Sequence, residues 1–180
     1  MSAIEKSKSW VEKVVVKHNF CPFAQQEIKN NTVRYVLSAG ETAEKILHLV
    51  IAECEYLEND TETETLLIVI ENAFEDFDEF LDLVDLSEQL MADCGYEGVY
   101  QLANFHPEYC FEGVAENDAS NYTNRSPFPM LHLLRAESLE KVLESFPEPE
   151  QIPEKNIECC RQVGAEYFEK ILTDIKKEYE

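Results

Sequence analysis

Thr65-Leu66-Leu67-Ile68-Val69-Ile70 decides the fold. The run is short, continuous and rich in β-branched side chains. A half-exposed strand alternates polar and apolar residues, and this one does not, so it is predicted to be a central strand buried on both faces. Amphipathic helices flank it. Glu41 to Leu57 repeats Ile46, Val50, Cys54 and Leu57 at helical spacing. Phe74 to Asp93 places Phe77, Phe80, Leu81, Val84 and Met91 on an inward face, with Gly95 and Gly98 ending it. Further out, Thr32 to Leu37 alternates, with Val33, Tyr35 and Leu37 on one side. Val99 to Phe105 and Met130 to Leu134 read as two more strands. Helical crossovers make the first three strands parallel and right-handed. The fourth follows a long loop and is open to an antiparallel placement. The expectation is a single α/β (α+β) domain: a roughly four-stranded mixed sheet with helices packed on it and a C-terminal helical segment.

The remaining segments complete this frame. Ile4 to His18 forms a helix with Trp10, Val11, Val14 and Val15 on one stripe, although Val14-Val15-Val16 also suits a short strand. Pro22 opens a second helix through Lys29. The 24 residues from His106 to Pro129 lack periodicity, which in a compact domain marks a functional loop or a missed element. Ser138 to Ser145 is a helix with Ser138 as its cap, Pro147-Glu148-Pro149 and Pro153 stiffen a connector, and a final helix runs from Glu154 to Lys177.

Of 180 residues, 44% are apolar, enough for a core and too many for a disordered chain. The formal net charge of -22 argues against nucleic acid or an anionic membrane as partner, since both need clustered Lys and Arg. No basic region leads into an apolar run at the N-terminus, and Leu66 to Ile70 is far shorter than a membrane span. Cys21, Cys54, Cys94, Cys110, Cys159 and Cys160 show no C-x-x-C spacing, so the expected setting is cytoplasmic with reduced thiols. Oligomeric state is not readable from this pattern.

Three segments concentrate reactive residue types: Asn19-Phe20-Cys21-Pro22-Phe23-Ala24, Gln101 to Phe111, and Asn121 to Arg135. Within the last, Asn124-Arg125-Ser126-Pro127-Phe128-Pro129-Met130-Leu131-His132-Leu133-Leu134-Arg135 is long and distinctive. Together the segments closely resemble the signature of a bacterial family catalogued as domain of unknown function 1415, over essentially the whole chain. The resemblance implies which positions matter and no mechanism.

His106 ends the third strand, where ligands bind in parallel α/β sheets, and its pKa range suits acid-base work. The structural alternative is a histidine that hydrogen-bonds a loop carbonyl. From Ile46 through Asn124 there is no Lys or Arg against 20 Asp and Glu, so Arg125 stands alone in a proline-stiffened segment. Such a guanidinium suits a bidentate carboxylate or phosphate, with Asn121, Thr123, Asn124 and Ser126 as neutral donors. Its structural alternative is a clasp that ties the long loop down by pairing with an acidic neighbour. His132, between leucines, fits a core residue more readily than a ligand. Arg135 closes the strand near the same site.

Cys21 before Pro22 resembles a thioredoxin-type C-P-x-C whose second thiol is replaced by Ala24, and a helix N-terminus there would favour the thiolate. Cys21, His106, Cys110 and His132 are zinc-ligand types without zinc-like spacing, so no metal is assigned. No phosphate loop, nucleophile elbow or calcium loop is present, and no cofactor is expected.

These residues lead to an expected enzyme that binds a small anionic metabolite at the strand ends under the 106–129 loop. Arg125, Asn124 and Arg135 hold the anion, and His106, assisted by Tyr109 or His132, moves the proton. On this reading, replacing Arg125 abolishes ligand binding and leaves the fold. Two alternatives stand beside it: an interaction protein with an acidic docking face, and a Cys21 thiol-redox protein.

Overall fold

In the computed structural model, which describes residues 1–38, 42–145 and 148–177, the apolar run is β2 (Thr65–Ile70). Its five aliphatic side chains are all at most 4% exposed. Burial of that order contributes roughly 2 kcal/mol per side chain. β1 (Val33–Ser38) pairs with β2 in parallel, and β4 (Met130–Arg135) pairs with β2 antiparallel. β3 (Tyr100–Phe105) lies outside β4, giving the order β1-β2-β4-β3. β3 therefore points the same way as β1 and β2, but β4 separates it from them.

The alternation of β2 builds two cores. Leu66, Ile68 and Ile70 pack with Leu131 and Leu133 of β4 against α3 (Ala43–Asn59) and α4 (Phe77–Asp93). Leu67 and Val69 face the other layer, with Trp10, Val14, Phe168 and Ile175. That layer holds α1 (Ala3–Trp10), α2 (Ala24–Asn30), α6 (Ile152–Val163) and α7 (Ala165–Lys177). α5 (Ala136–Ser145) follows β4 directly.

Several boundaries differ from those expected. The first helix begins at a Ser2/Glu5 capping box and continues past Trp10 as a π-helical turn, Val11–Val16, instead of turning into a strand. α2 starts at Ala24, two residues after Pro22, and ends on Asn31 in the left-handed conformation. α4 starts at Phe77, capped by Asp76, and Leu81 on it is 37% exposed instead of facing inward. Ser138 sits inside α5 and does not cap it. The long terminal helix is two helices, because Gly164 at φ 93° breaks the ladder between α6 and α7. The 106–129 stretch contains a 3-10 turn, Ala119–Thr123, which packs on α6 and escaped notice because one turn has no period to read. Glu41 and Pro147 lie outside the described residues.

Candidate functional site

The strand register sets out a row of side chains on the face opposite α3 and α4. Tyr35 pairs with Leu67, Leu67 with His132, and His132 with Ala103. Val33, Thr65 and Leu134 form the next row. Above this floor the helical layer does not close completely. A cavity of about 440 Å³ remains, within the roughly 300–1,000 Å³ of small-molecule sites. Its walls come from Trp10, Val11 and Val15 of the first helix, from Phe20, Phe23 and Ile28, and from Ile157 of α6. It runs from Glu64 and Arg135, where β2 begins and β4 ends, to Phe105, Thr123 and Asn124 at the other end of the sheet.

Few polar groups enter this apolar space. His132 Nε2 lies 2.6 Å from the Thr65 hydroxyl, which is also 2.8 Å from the carbonyl of Leu133. With one proton on the hydroxyl, either Thr65 donates to Leu133 and accepts from His132, or it donates to Nε2. In both arrangements Nδ1 is left without a protein partner among the described residues. Burial pushes the His132 imidazole down to about 4, so it is neutral at pH 7. The Tyr35 phenol is likewise pushed up to about 12 by burial. Glu64 Oε1 is buried and has no hydrogen-bond partner among the described residues. Asn124 accepts from the Thr123 hydroxyl and donates to the carbonyl of Asn104.

Of the residues singled out in the sequence, Cys21, Asn124, His132 and Arg135 line this cavity. Cys21 lies in the turn before α2 rather than on its first residues, and burial pushes its thiol up, opposite to what a thiolate nucleophile needs. Arg135 belongs to the wall, but its guanidinium donates to the carbonyls of Leu57, Asp60 and Thr63 at 2.6–3.1 Å. It thereby closes the C-terminal end of α3, where a cation suits the helix dipole.

The other expected site residues lie elsewhere. His106 is fully buried on the α4 side, against Phe77 and Phe80. Its Nδ1 accepts from the amide of Glu108 at 3.0 Å, which puts the proton on Nε2, and Nε2 donates to the carbonyl of Phe74 at 3.0 Å. Both nitrogens are thus committed. The bond to Phe74 holds a residue at φ 57°, a conformation uncommon for a side chain of this size. Tyr109 packs on Phe77 and Phe111.

Arg125 donates to the carbonyls of Tyr109 at 3.0 Å and Glu116 at 2.8 Å, and lies over the Tyr122 ring at 5.0 Å. Its own carbonyl accepts from the Trp10 indole. Asn121, fully buried, accepts from the amide of Phe111 and donates to the carbonyls of Ala115 and Glu116. The Ser126 hydroxyl donates to the carbonyl of Phe128. Arg125, Asn121 and Ser126 brace the loop internally, as the structural alternative for Arg125 anticipates, with backbone carbonyls in place of an acidic side chain. Among the described residues no three His, Cys, Asp or Glu side chains come together to hold a metal ion.

The family described as protein of unknown function, DUF1415, matches residues 2–170. The chain belongs to the DUF1415 family. No curated protein and no solved structure matches it. The match extends over every cavity-lining segment of this DUF1415 chain, from Trp10 to Ile157. Tyr35, Glu64 and Thr65 were absent from the sequence-derived site. Alternation did place Tyr35 on one face of β1, but which face received a cavity depended on helices distant in sequence. Among the described residues no helix is long and apolar enough to cross a membrane.

Proposed function

We propose that this DUF1415 protein binds a small, elongated and largely apolar molecule between the sheet and the α1/α2/α6 layer, in the cytoplasm. The observation that carries the reading is the 440 Å³ cavity, walled by aromatic and aliphatic side chains and holding the His132–Thr65 pair in its floor. Native cores are packed to crystal-like density, so an apolar space of this size beside polar atoms is more than a packing defect. The ligand differs from the anion expected from Arg125. Arg125 is spent on the loop, Arg135 on the end of α3, and the remaining charged side chains of the wall, Glu27 and Glu64, are carboxylates. Binding is favoured over acid-base turnover at His132, because a base with a pKa near 4 takes up a proton poorly at pH 7.

The test is a fluorescence titration with the uncharged dye N-phenyl-1-naphthylamine. Affinity of about 10 μM or tighter is expected for the native chain. Ala103→Phe, which puts a ring into the cavity floor, should weaken it at least tenfold while keeping a cooperative thermal transition. Unchanged dye emission, or equal affinity of the Ala103→Phe variant, would overturn the reading.

A further inference from the structure

The walls of the cavity differ in how firmly they are held. Trp10, Val11, Val15 and Phe20 are each at most 7% exposed, so moving them opens the core itself. α6 is held by Cys160, which is fully buried, and by Asn156, which donates to the carbonyl of Phe20. α2 buries no residue, but its Ala24 and Ile28 pack on the core around Trp10 and Phe168. Thr123 and Asn124, at the far end, belong to the loop that Arg125 and Asn121 brace. α5 has no comparable hold. Its Ser138 and Leu139 line the cavity at the end where Glu64 and Arg135 lie. Leu139, Val142 and Leu143 fall on one side of the helix, yet all three are only half-buried. Among the described residues no side chain of α5 is buried, and none of these three belongs to either core. Only the start of the helix is fixed: the Ala136 amide donates to the carbonyl of Val99 at 3.0 Å, and Arg135 just before it is bonded to three carbonyls. A helix of 10 residues is marginal in water unless its apolar side is packed.

We infer that α5 is the gate of this cavity: it unfolds locally beyond the fixed Arg135–Ala136 junction, admits the ligand at that end, and refolds over it. The inference rests on the cavity-binding reading and names the regulation of that site. Segments with few buried apolar contacts open most readily, and α5 is the wall with the fewest. An apolar ligand in the cavity offers Leu139 the packing surface that the protein does not. The ligand therefore interacts more favourably with the closed helix than with the open segment, and occupancy draws the gate shut.

Two measurements on the full chain test the gate. The first is amide hydrogen exchange read by mass spectrometry, with and without saturating N-phenyl-1-naphthylamine. In the free chain the amides of 137–144 should exchange at least about tenfold faster than those of α3, and the dye should slow them about threefold or more. The second is stopped-flow dye binding to Glu140→Gly, with Glu144→Gly as a second variant if the first does not fold. Both glutamates are exposed and lie outside the cavity lining, so they do not touch the dye. Glycine within a helix favours its unfolding by roughly fourfold, so association and dissociation should both quicken by about that factor while affinity stays within about twofold. Amides of α5 as slow as those of α3 in the free chain, dye protection confined to α2, or dye rates unchanged in a folded glycine variant would overturn the gate while dye binding leaves the cavity reading intact. Absence of dye binding to the native chain would overturn both.

Discussion

The Thr65 hydroxyl lies 2.6 Å from Nε2 of His132, bridging the central strand and its antiparallel neighbour on the floor of a cavity. The pair joins two residues 67 positions apart. It also engages one of the two ring nitrogens of His132. Four expectations follow from this arrangement and from the braces around it.

The first concerns acid stability. Folding lowers the His132 pKa from 6.5 to about 4, by burial. Below pH 6.5 the unfolded chain takes up a proton that the folded imidazole refuses. The stabilisation is therefore complete above pH 6.5 and is lost as pH falls toward 4. The full window is worth on the order of 3 kcal/mol. Burial shifts His18 and His106 in the same direction. Urea midpoints at about pH 7.5 and pH 5 should show a fall for the native chain that is smaller by roughly 2 kcal/mol in His132→Gln. Parallel profiles for the two proteins would count against the assignment.

Arg125 is expected to matter for stability and not for binding. Arg125→Ala removes two charged donors from the carbonyls of Tyr109 and Glu116. A loss of about 2–3 kcal/mol in urea unfolding is expected. Arg125→Lys should recover only part of it, because an ammonium does not reproduce the planar fork. N-phenyl-1-naphthylamine affinity should stay within about threefold at temperatures where the variant is folded. This reverses the sequence-based expectation that Arg125→Ala would abolish ligand binding and spare the fold.

His106 is expected to act in the same structural sense on the opposite face. His106→Leu leaves the Phe74 carbonyl without its donor and the Glu108 amide without its acceptor. The cost should be about 3 kcal/mol. Dye binding should persist, since the side chain packs on Phe77 and Phe80 rather than on the cavity. A folded His106→Leu protein that no longer binds the dye would place His106 in the site after all.

Thiol reactivity supplies a local probe. Cys94 is exposed, Cys21 is half-buried with its thiol pushed up by burial, and Cys54 and Cys160 are buried with thiols pushed up to about 12. Iodoacetamide followed by peptide mass spectrometry should label Cys94 first and Cys21 at least about tenfold more slowly. Saturating N-phenyl-1-naphthylamine should slow Cys21 further, because Cys21 lines the cavity. Cys94 labelling should not change.

Much of this molecule was legible from local pattern. Leu66 to Ile70 alternates between two cores, so a run with no polar member had to be central. α3 and α4 followed from apolar spacing, and the strand order along the chain followed from the breaks between them. The site was harder to read. His106, Tyr109 and Arg125 carry reactive groups, and residue type alone does not show that backbone carbonyls and amides already occupy them. His132 looked like a core residue because leucines flank it, yet those leucines face the opposite core.

The sequence by itself determined the family, the mixed sheet and the residues buried at its centre, because periodicity and β-branching act over a few neighbouring positions. Only the tertiary structure decided where the open space lies. Thr65 meets His132 through strand register, and the helices that fail to close over them come from both ends of the chain. Arg125 and Arg135 were drawn onto carbonyls brought near by folding. Which polar groups end satisfied, and which remain free for a ligand, depends on such long-range partners.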